Sequence, residues 1–248
     1  MRIAARFNGP VGSGNGGITA GRLAAYVGAE VVEVTLRRPP PLDRDLRVDA
    51  SGGTARLYDV DVLVAEAVPA EGPLDAGPAV DLATARAAET SFGGLTDHPY
   101  PTCFACGTER TDGLGLRPGP VGDGAVAAVW TPAQDDPALL WAALDCPGGW
   151  SYPDLPNRPL VLGRIALQRV GPVDPGRPYV VTGWTTRQEG RKVHTGTALR
   201  SADGELLAMA RATWLTVDRS RRGVSGSGRA GPGVHGELGA TGSGSRAS

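Results

Sequence analysis

Two Gly-Gly pairs stand beside the side chains of this sequence that are best suited to carbonyl chemistry. Asn15-Gly16-Gly17 opens an apolar, alanine-rich stretch that predicts a helix over residues 15–27. Bare N–H groups at a helix N-terminus attract negative charge, so Gly16 and Gly17 could polarise a carbonyl oxygen. Alternatively, the glycines only allow the helix to pack closely on a sheet. Asn15 either orients a carbonyl or water molecule, caps the helix, or does both.

The second pair, Gly148-Gly149, closely follows a carboxylate, Asp145, that lies in an otherwise apolar stretch over residues 138–146. Burial would raise the pKa of Asp145 and suit it to general-base catalysis. The alternative is that Asp145 caps the turn that begins at Pro147. Gly149 is the second candidate for polarising a carbonyl group.

The cysteines offer weaker signals. Cys103 and Cys106 form one C-x-x-C pair, and Cys146 lies far along the chain. A structural zinc site usually has four ligands, and a fourth is not evident even if His98 joins. We therefore expect structural thiols, with neither a bound metal nor a redox pair.

Basic residues cluster at a predicted hairpin turn, where Arg187, Arg191 and Lys192 surround Glu189-Gly190. They could receive phosphate groups, or they could form a solvated hairpin tip. A Ser/His/Asp triad is not indicated, because no nucleophile-elbow motif is present and His194 falls in a predicted strand.

The composition sets limits on the class of protein. The 248 residues are 41% hydrophobic and 21% charged, as in ordinary globular proteins, and the net charge of -1 argues against general affinity for nucleic acid or anionic membranes. No apolar run approaches the roughly 20 residues that span a bilayer. The polar start predicts no secretory signal, and three cysteines favour a reducing cytoplasm.

The predicted elements occur in the same order twice. In the first half, a strand at residues 2–7 and the glycine-led helix are followed by a strand at 31–36, a proline loop, and three more strands at 45–50, 54–58 and 62–67. In the second half, a strand at 125–131 and a helix at 137–150 precede four strands, at 160–170, 179–188, 192–200 and 205–217. Along the sequence, Gly17 and Asp43 are separated by nearly the same number of residues as Gly149 and Asp174. Duplication is therefore favoured over two unrelated α+β halves.

These patterns divide the chain into four segments. We predict an N-terminal module at residues 1–68, a linker at 69–101 with a short helix at 80–90, and a C-terminal module at 102–218. Residues 219–248 are rich in Gly, Ser and Arg without apolar periodicity, which predicts a disordered tail.

The chain predicts a helix wrapped by an antiparallel sheet in each of its two halves. This arrangement resembles the double hotdog fold of acyl-CoA thioesterases. Asn15-Gly16-Gly17 resembles the His/Asn-Gly-Gly entry to the central helix of phenylacetyl-CoA-type thioesterases. Cys103-Phe104-Ala105-Cys106-Gly107 is similar to the opening of many single-hotdog thioesterases. The segments at 190–193 and 205–213 resemble the last two strands of the same group.

The resemblance implies an α+β protein of two tandem hotdog modules, acting as a pseudo-dimer with sites at the seam. It implies hydrolysis of acyl-CoA or acyl-carrier thioesters, with coenzyme A only as part of the substrate and its phosphates near Arg187, Arg191 and Lys192. Related thioesterases carry a carboxylate in or beside the central helix, whereas here Asp145 precedes its Gly-Gly pair. A non-catalytic acyl-thioester-binding protein is therefore the alternative, and a dehydratase is disfavoured because no suitably spaced Asp–His pair is visible. The oligomeric state stays open, a homo-oligomer included.

Overall fold

The fold was analysed in a computed structural model that describes residues 1–218, so the predicted tail at 219–248 lies outside the described residues. The described chain contains four α-helices, which are α1 (Gly16–Ala24), α2 (Leu82–Ala88), α3 (Pro137–Ala143) and α4 (Cys146–Trp150). It contains ten strands: β1 (Val31–Leu36), β2 (Arg47–Ser51), β3 (Thr54–Asp59), β4 (Val62–Pro69), β5 (Gly119–Gly122), β6 (Ala125–Trp130), β7 (Leu160–Arg169), β8 (Tyr179–Glu189), β9 (Lys192–Ser201) and β10 (Leu206–Thr216).

The ten strands form one antiparallel sheet in the order β2-β3-β4-β1-β7-β10-β9-β8-β6-β5. The two halves of the chain meet where β1 pairs with β7, in a register that sets Val31 opposite Gln168 and Thr35 opposite Arg164. The backbone hydrogen bonding therefore continues across the boundary between the halves.

Helices from the two halves pack directly on each other. α1 lies against α3, and it also contacts β1, β3 and β4, whereas α4 contacts β6, β8 and β9. A Cβ atom added at Gly17 would lie 2.6 Å from the Ala142 Cα, and one added at Gly21 would lie 2.7 Å from the Ala138 Cα. Glycine is therefore what lets the two helix backbones approach.

Two predicted elements are wrong. Residues 2–7 form a bridge between Arg2 and Asp45 and then a 3-10 turn at Ala5–Phe7, instead of a strand. The Arg110 guanidinium donates to the Arg6 carbonyl at 2.7 Å, so that carbonyl is not available to a neighbouring strand. The helix predicted at 137–150 is broken into α3 and α4.

The break between α3 and α4 has a local cause. Pro147 has no N–H group to donate to the carbonyl one turn earlier, which interrupts the helical hydrogen bonding. Next to the Ala143 carbonyl, to which Pro147 cannot donate, the Leu144 carbonyl accepts a hydrogen bond from the Thr197 hydroxyl at 2.8 Å, and the Gly148 N–H donates to the Asp145 carbonyl. Asp145 thus lies at a corner, where its side chain can leave the helix axis.

The remaining differences concern the segment between the halves. The helix predicted at 80–90 is shorter, because α2 gives way to a 3-10 turn at Glu89–Ser91. β5 was not predicted, since Gly119-Pro120-Val121-Gly122 lacks the composition of a strand. None of the helices described is long and apolar enough for a membrane crossing.

Candidate active site

The N-terminus of α1 is capped by the residue that the sequence indicated. The Asn15 Oδ1 accepts a hydrogen bond from the Ile18 N–H at 2.9 Å, and the Thr19 hydroxyl donates to the Asn15 carbonyl. The next two amides differ in their partners. The Gly17 N–H donates to the Asp145 Oδ2 at 3.0 Å, whereas the Gly16 N–H has no acceptor within residues 1–218. Gly16 therefore keeps the free donor that the sequence assigned to both glycines.

Asp145 is buried where the two halves meet, with 3% of its surface exposed. Its Oδ2 accepts from Gly17 and, at 3.4 Å, from the Asn15 Nδ2, whereas its Oδ1 has no hydrogen-bond partner in the described part of the chain. Burial, together with the nearby Cys103 sulfur, raises the pKa of Asp145 to about 7, although the hydrogen bonds from Gly17 and Asn15 act to lower it. The alternative of a helix cap is wrong, because the Asp145 side chain makes no capping hydrogen bond to α4.

A cavity of about 460 Å³ lies over these groups. Asn15, Gly16, Asp145 and Gly149 all line it. Much of the remaining wall is apolar, and includes Leu36, Leu155, Leu160, Val161, Leu162 and Trp214. An apolar chain that enters this cavity therefore meets a carboxylate and a free helix amide.

Gly149 lies inside α4 and lines the cavity. A Cβ atom added there would lie 3.2 Å from the Trp214 ring, and one at Gly148 would lie 2.6 Å from the Thr195 hydroxyl. The second Gly-Gly pair thus allows α4 to lie close to the sheet. A role of Gly149 in polarising a carbonyl stays a prediction.

The three cysteines converge on the same cavity, which the sequence did not predict. Cys103, Cys106 and Cys146 are buried, and their sulfur atoms all lie within 4.8 Å of one another. Hydrogen bonds from the Cys106 and Cys146 thiols hold the pKa of Cys103 well below its usual range. The Asn15 Nδ2 lies 3.8 Å from the Cys103 Sγ and so connects the cysteines to Asp145.

The predicted phosphate-binding residues are not among those that line this cavity. Arg187 pairs with Glu189 at 3.2 Å and lines a different cavity, and Arg191 donates to the Thr216 carbonyl at 3.2 Å. Lys192 begins β9, beside the turn. The predicted cluster thus has the contacts of a hairpin tip.

Two other cations, Arg37 and Arg38, line the main cavity, and sequence reasoning missed them. Both are exposed. Arg37 forms an ion pair with Glu66, but the Arg38 guanidinium has no ion pair or hydrogen bond within the described residues. The available signal was the placement of two arginines directly before the prolines at 39–41.

Solved structures of similar fold are thioesterases and other hotdog proteins. The TesB protein of Mycobacterium avium subspecies paratuberculosis has a TM-score of 0.56 at 13% identity, over 88% of this chain and 91% of that one. A Lactobacillus plantarum protein assigned as an oleoyl thioesterase has a TM-score of 0.53 at 10% identity, over 88% and 94%. A hotdog protein of unknown function from Alicyclobacillus acidocaldarius has a TM-score of 0.52 at 13% identity, over 87% and 91%.

No protein-family model matches the sequence, and no curated protein matches it either. The structural likeness nevertheless covers most of the chain, and the chain therefore has a hotdog fold. The resemblance to hotdog thioesterases that the sequence motifs indicated is confirmed.

Proposed function

We propose that this protein hydrolyses acyl thioesters. The observation that carries the proposal is the position of Asp145, a buried carboxylate with one unpartnered oxygen, in the wall of an apolar cavity beside the free Gly16 amide. Thioester hydrolysis needs these two groups, because one must activate water and the other must stabilise the negative charge that forms on the carbonyl oxygen. The name of the Lactobacillus plantarum neighbour, an assigned oleoyl thioesterase, adds support.

The reaction follows from these positions. The acyl chain occupies the apolar part of the cavity, and the thioester carbonyl oxygen accepts a hydrogen bond from the Gly16 N–H. The Asp145 Oδ1 takes a proton from a water molecule while the water oxygen bonds to the carbonyl carbon. When the tetrahedral intermediate collapses, the C–S bond breaks, and the proton on Asp145 passes to the leaving thiolate. The products are a carboxylic acid and a free thiol.

Asn15 and Gly17 are positioning residues in this scheme. Both donate to the Asp145 Oδ2, which fixes the carboxylate plane and leaves Oδ1 as the proton acceptor. Because Asn15 also caps α1, the same side chain fixes the helix amides relative to the base. Asn15 thereby helps to set the position of the base relative to the oxyanion donor.

We expect coenzyme A to be the thiol carrier of the substrate. Arg37 and Arg38 lie in the cavity wall and are exposed, and guanidinium groups bind phosphate well. Arg38 is the stronger candidate of the two because Glu66 already pairs with Arg37. These two residues replace Arg187, Arg191 and Lys192 in the proposed recognition of the substrate.

The site lies between two tandem hotdog modules, which arose by duplication. The strand order supports this, because outward from the β1–β7 pair each half runs through four strands whose chain order is first, fourth, third and second, and β6 and β5 then follow in the second half alone. Those strands are β1, β4, β3 and β2 on one side, and β7, β10, β9 and β8 on the other. The boundaries at residues 68 and 102 stay predictions.

A screen of acyl-CoA substrates of graded chain length tests the proposed function, with release of free thiol as the readout. We expect continuous thiol release with at least one substrate class. Retention of intact acyl-CoA by the protein, without thiol release for any chain length, would identify it as the non-catalytic binding protein instead.

A further inference from the structure

The three cysteine sulfurs have the geometry of a metal site. The Cys103 and Cys146 sulfurs are 3.8 Å apart, and all three sulfurs lie within 4.8 Å of one another. A tetrahedral zinc ion with Zn–S bonds of about 2.3 Å holds its sulfur ligands about 3.8 Å apart. The Cys103–Cys146 separation therefore matches that of two zinc ligands, and no pair of the three sulfurs exceeds it by more than about 1 Å.

The backbone of the C-x-x-C segment forms a tight turn. The Gly107 N–H donates to the Cys103 carbonyl at 2.8 Å. A Cβ atom at Gly107 would lie 2.5 Å from that carbonyl oxygen, so the tight turn requires glycine. The turn directs Cys103 and Cys106 toward Cys146, which begins α4.

Side-chain N–H donors surround the sulfurs from outside. The Trp150 indole N–H donates to the Cys106 Sγ at 3.4 Å, and the Asn15 amide donates to the Cys103 Sγ at 3.8 Å. Donors of this kind stabilise thiolates, and they typically surround the ligands of a metal site.

His98 lies near the cluster but is not arranged as a ligand. Its Nδ1 accepts a hydrogen bond from the Tyr100 N–H at 2.9 Å, which leaves the proton on Nε2. That nitrogen faces the Cys106 carbonyl at 3.0 Å. Both ring nitrogens are therefore used by the backbone, and the cluster offers three sulfur ligands.

We propose that Cys103, Cys106 and Cys146 bind a thiophilic divalent cation, zinc in particular, and that a water molecule from the cavity completes its coordination. All three cysteines line the cavity, so water has access to the remaining position. Sulfur donors in tetrahedral arrangement select zinc over magnesium or calcium. The cation links the turn at 103–107 to α4, and so stabilises the corner between α3 and α4 where Asp145 lies.

The full chain, purified under reducing conditions from cells supplied with zinc, tests this site by its metal content. We expect about one zinc per chain, and a thiolate-to-metal charge-transfer band after exchange for cobalt(II). Cys146→Ser should lower the zinc affinity, measured in competition with a chelator, by more than about 100-fold. Such a loss exceeds the effect of removing a residue that only donates a hydrogen bond to a ligand. Trp150→Phe, which removes one outer donor, should cost roughly 10–100-fold.

His98→Gln is the matched control, and it should retain the metal with the charge-transfer band unchanged. Loss of the metal from folded His98→Gln protein would show that three thiols with water do not suffice. Folded wild-type protein that binds neither zinc nor cobalt would overturn the proposal, as would a chain mass showing a disulfide between two of the cysteines. These readouts do not depend on the proposed hydrolase activity, so either proposal can fail alone.

Discussion

The Asp145 Oδ2 accepts a hydrogen bond from the Gly17 N–H at 3.0 Å, across 128 residues of sequence. This contact joins the corner between α3 and α4 to the N-terminus of α1. It places a carboxylate of one half of the chain at the helix amides of the other. The proposed catalytic groups therefore come from both halves, and each prediction below depends on how they are held together.

Gly17→Ala should destabilise the protein strongly. The added Cβ atom would lie 2.6 Å from both the Ala142 Cα and the Trp141 carbonyl oxygen, which are backbone atoms that cannot rotate away. Overpacking of this kind costs about 1–3 kcal/mol. Thermal or urea unfolding would measure it. Gly149→Ala is the control, because its nearest neighbour is the Trp214 side chain at 3.2 Å, and an equal loss in both variants would contradict the close helix packing.

Asn15 has two separable roles, and two substitutions distinguish them. Asn15→Ser keeps a capping oxygen for the Ile18 N–H but removes the donor to Asp145, so turnover should fall while stability stays near wild type. Asn15→Ala removes both, and should additionally lose about 0.5–2 kcal/mol of stability. Unfolding curves and steady-state kinetics on both variants provide the check. Full turnover in Asn15→Ser would remove Asn15 from the proposed positioning of the base.

Arg38→Ala should raise KM for acyl-CoA with little effect on kcat. Arg38 is exposed at the cavity and has no other ion-pair partner within residues 1–218, so we expect an effect of about two- to fivefold, as for an exposed charge pair. The effect should weaken as salt is added. Arg187→Ala is the control, since Arg187 lines a different cavity. If KM rises in Arg187→Ala and not in Arg38→Ala, the phosphates bind at the β8–β9 hairpin, and the assignment to Arg38 is wrong.

Much of the fold could be predicted because its signals are local. The β-branched composition of Val31–Leu36 and the capped start of α1 at Asn15 both depend on residues within a few positions of one another. The errors occurred where distant groups decide the local structure. Arg110 donates a hydrogen bond to the Arg6 carbonyl, and Thr197 donates one to the Leu144 carbonyl. Both donors are far away in the sequence, so the local pattern does not indicate them.

The candidate site was predictable as a set of residues but not as an arrangement. A lone carboxylate in an apolar stretch singled out Asp145, yet its partner Gly17 was not evident, because only the packing of α1 on α3 brings them together. The same packing makes Gly16 the free amide. The convergence of Cys146 with the C-x-x-C pair likewise depends on the corner before α4, which follows from Pro147.

The most direct test of the account is the turnover of Asp145→Asn with an acyl-CoA that the wild type hydrolyses. Asparagine keeps the shape and an oxygen that can accept from Gly17, but it cannot take a proton from water. We expect kcat to fall about 10²–10⁴-fold, as for the loss of a general base, while the protein stays folded and binds the same substrate. Wild-type turnover in folded Asp145→Asn protein would contradict the assignment of Asp145 as the base.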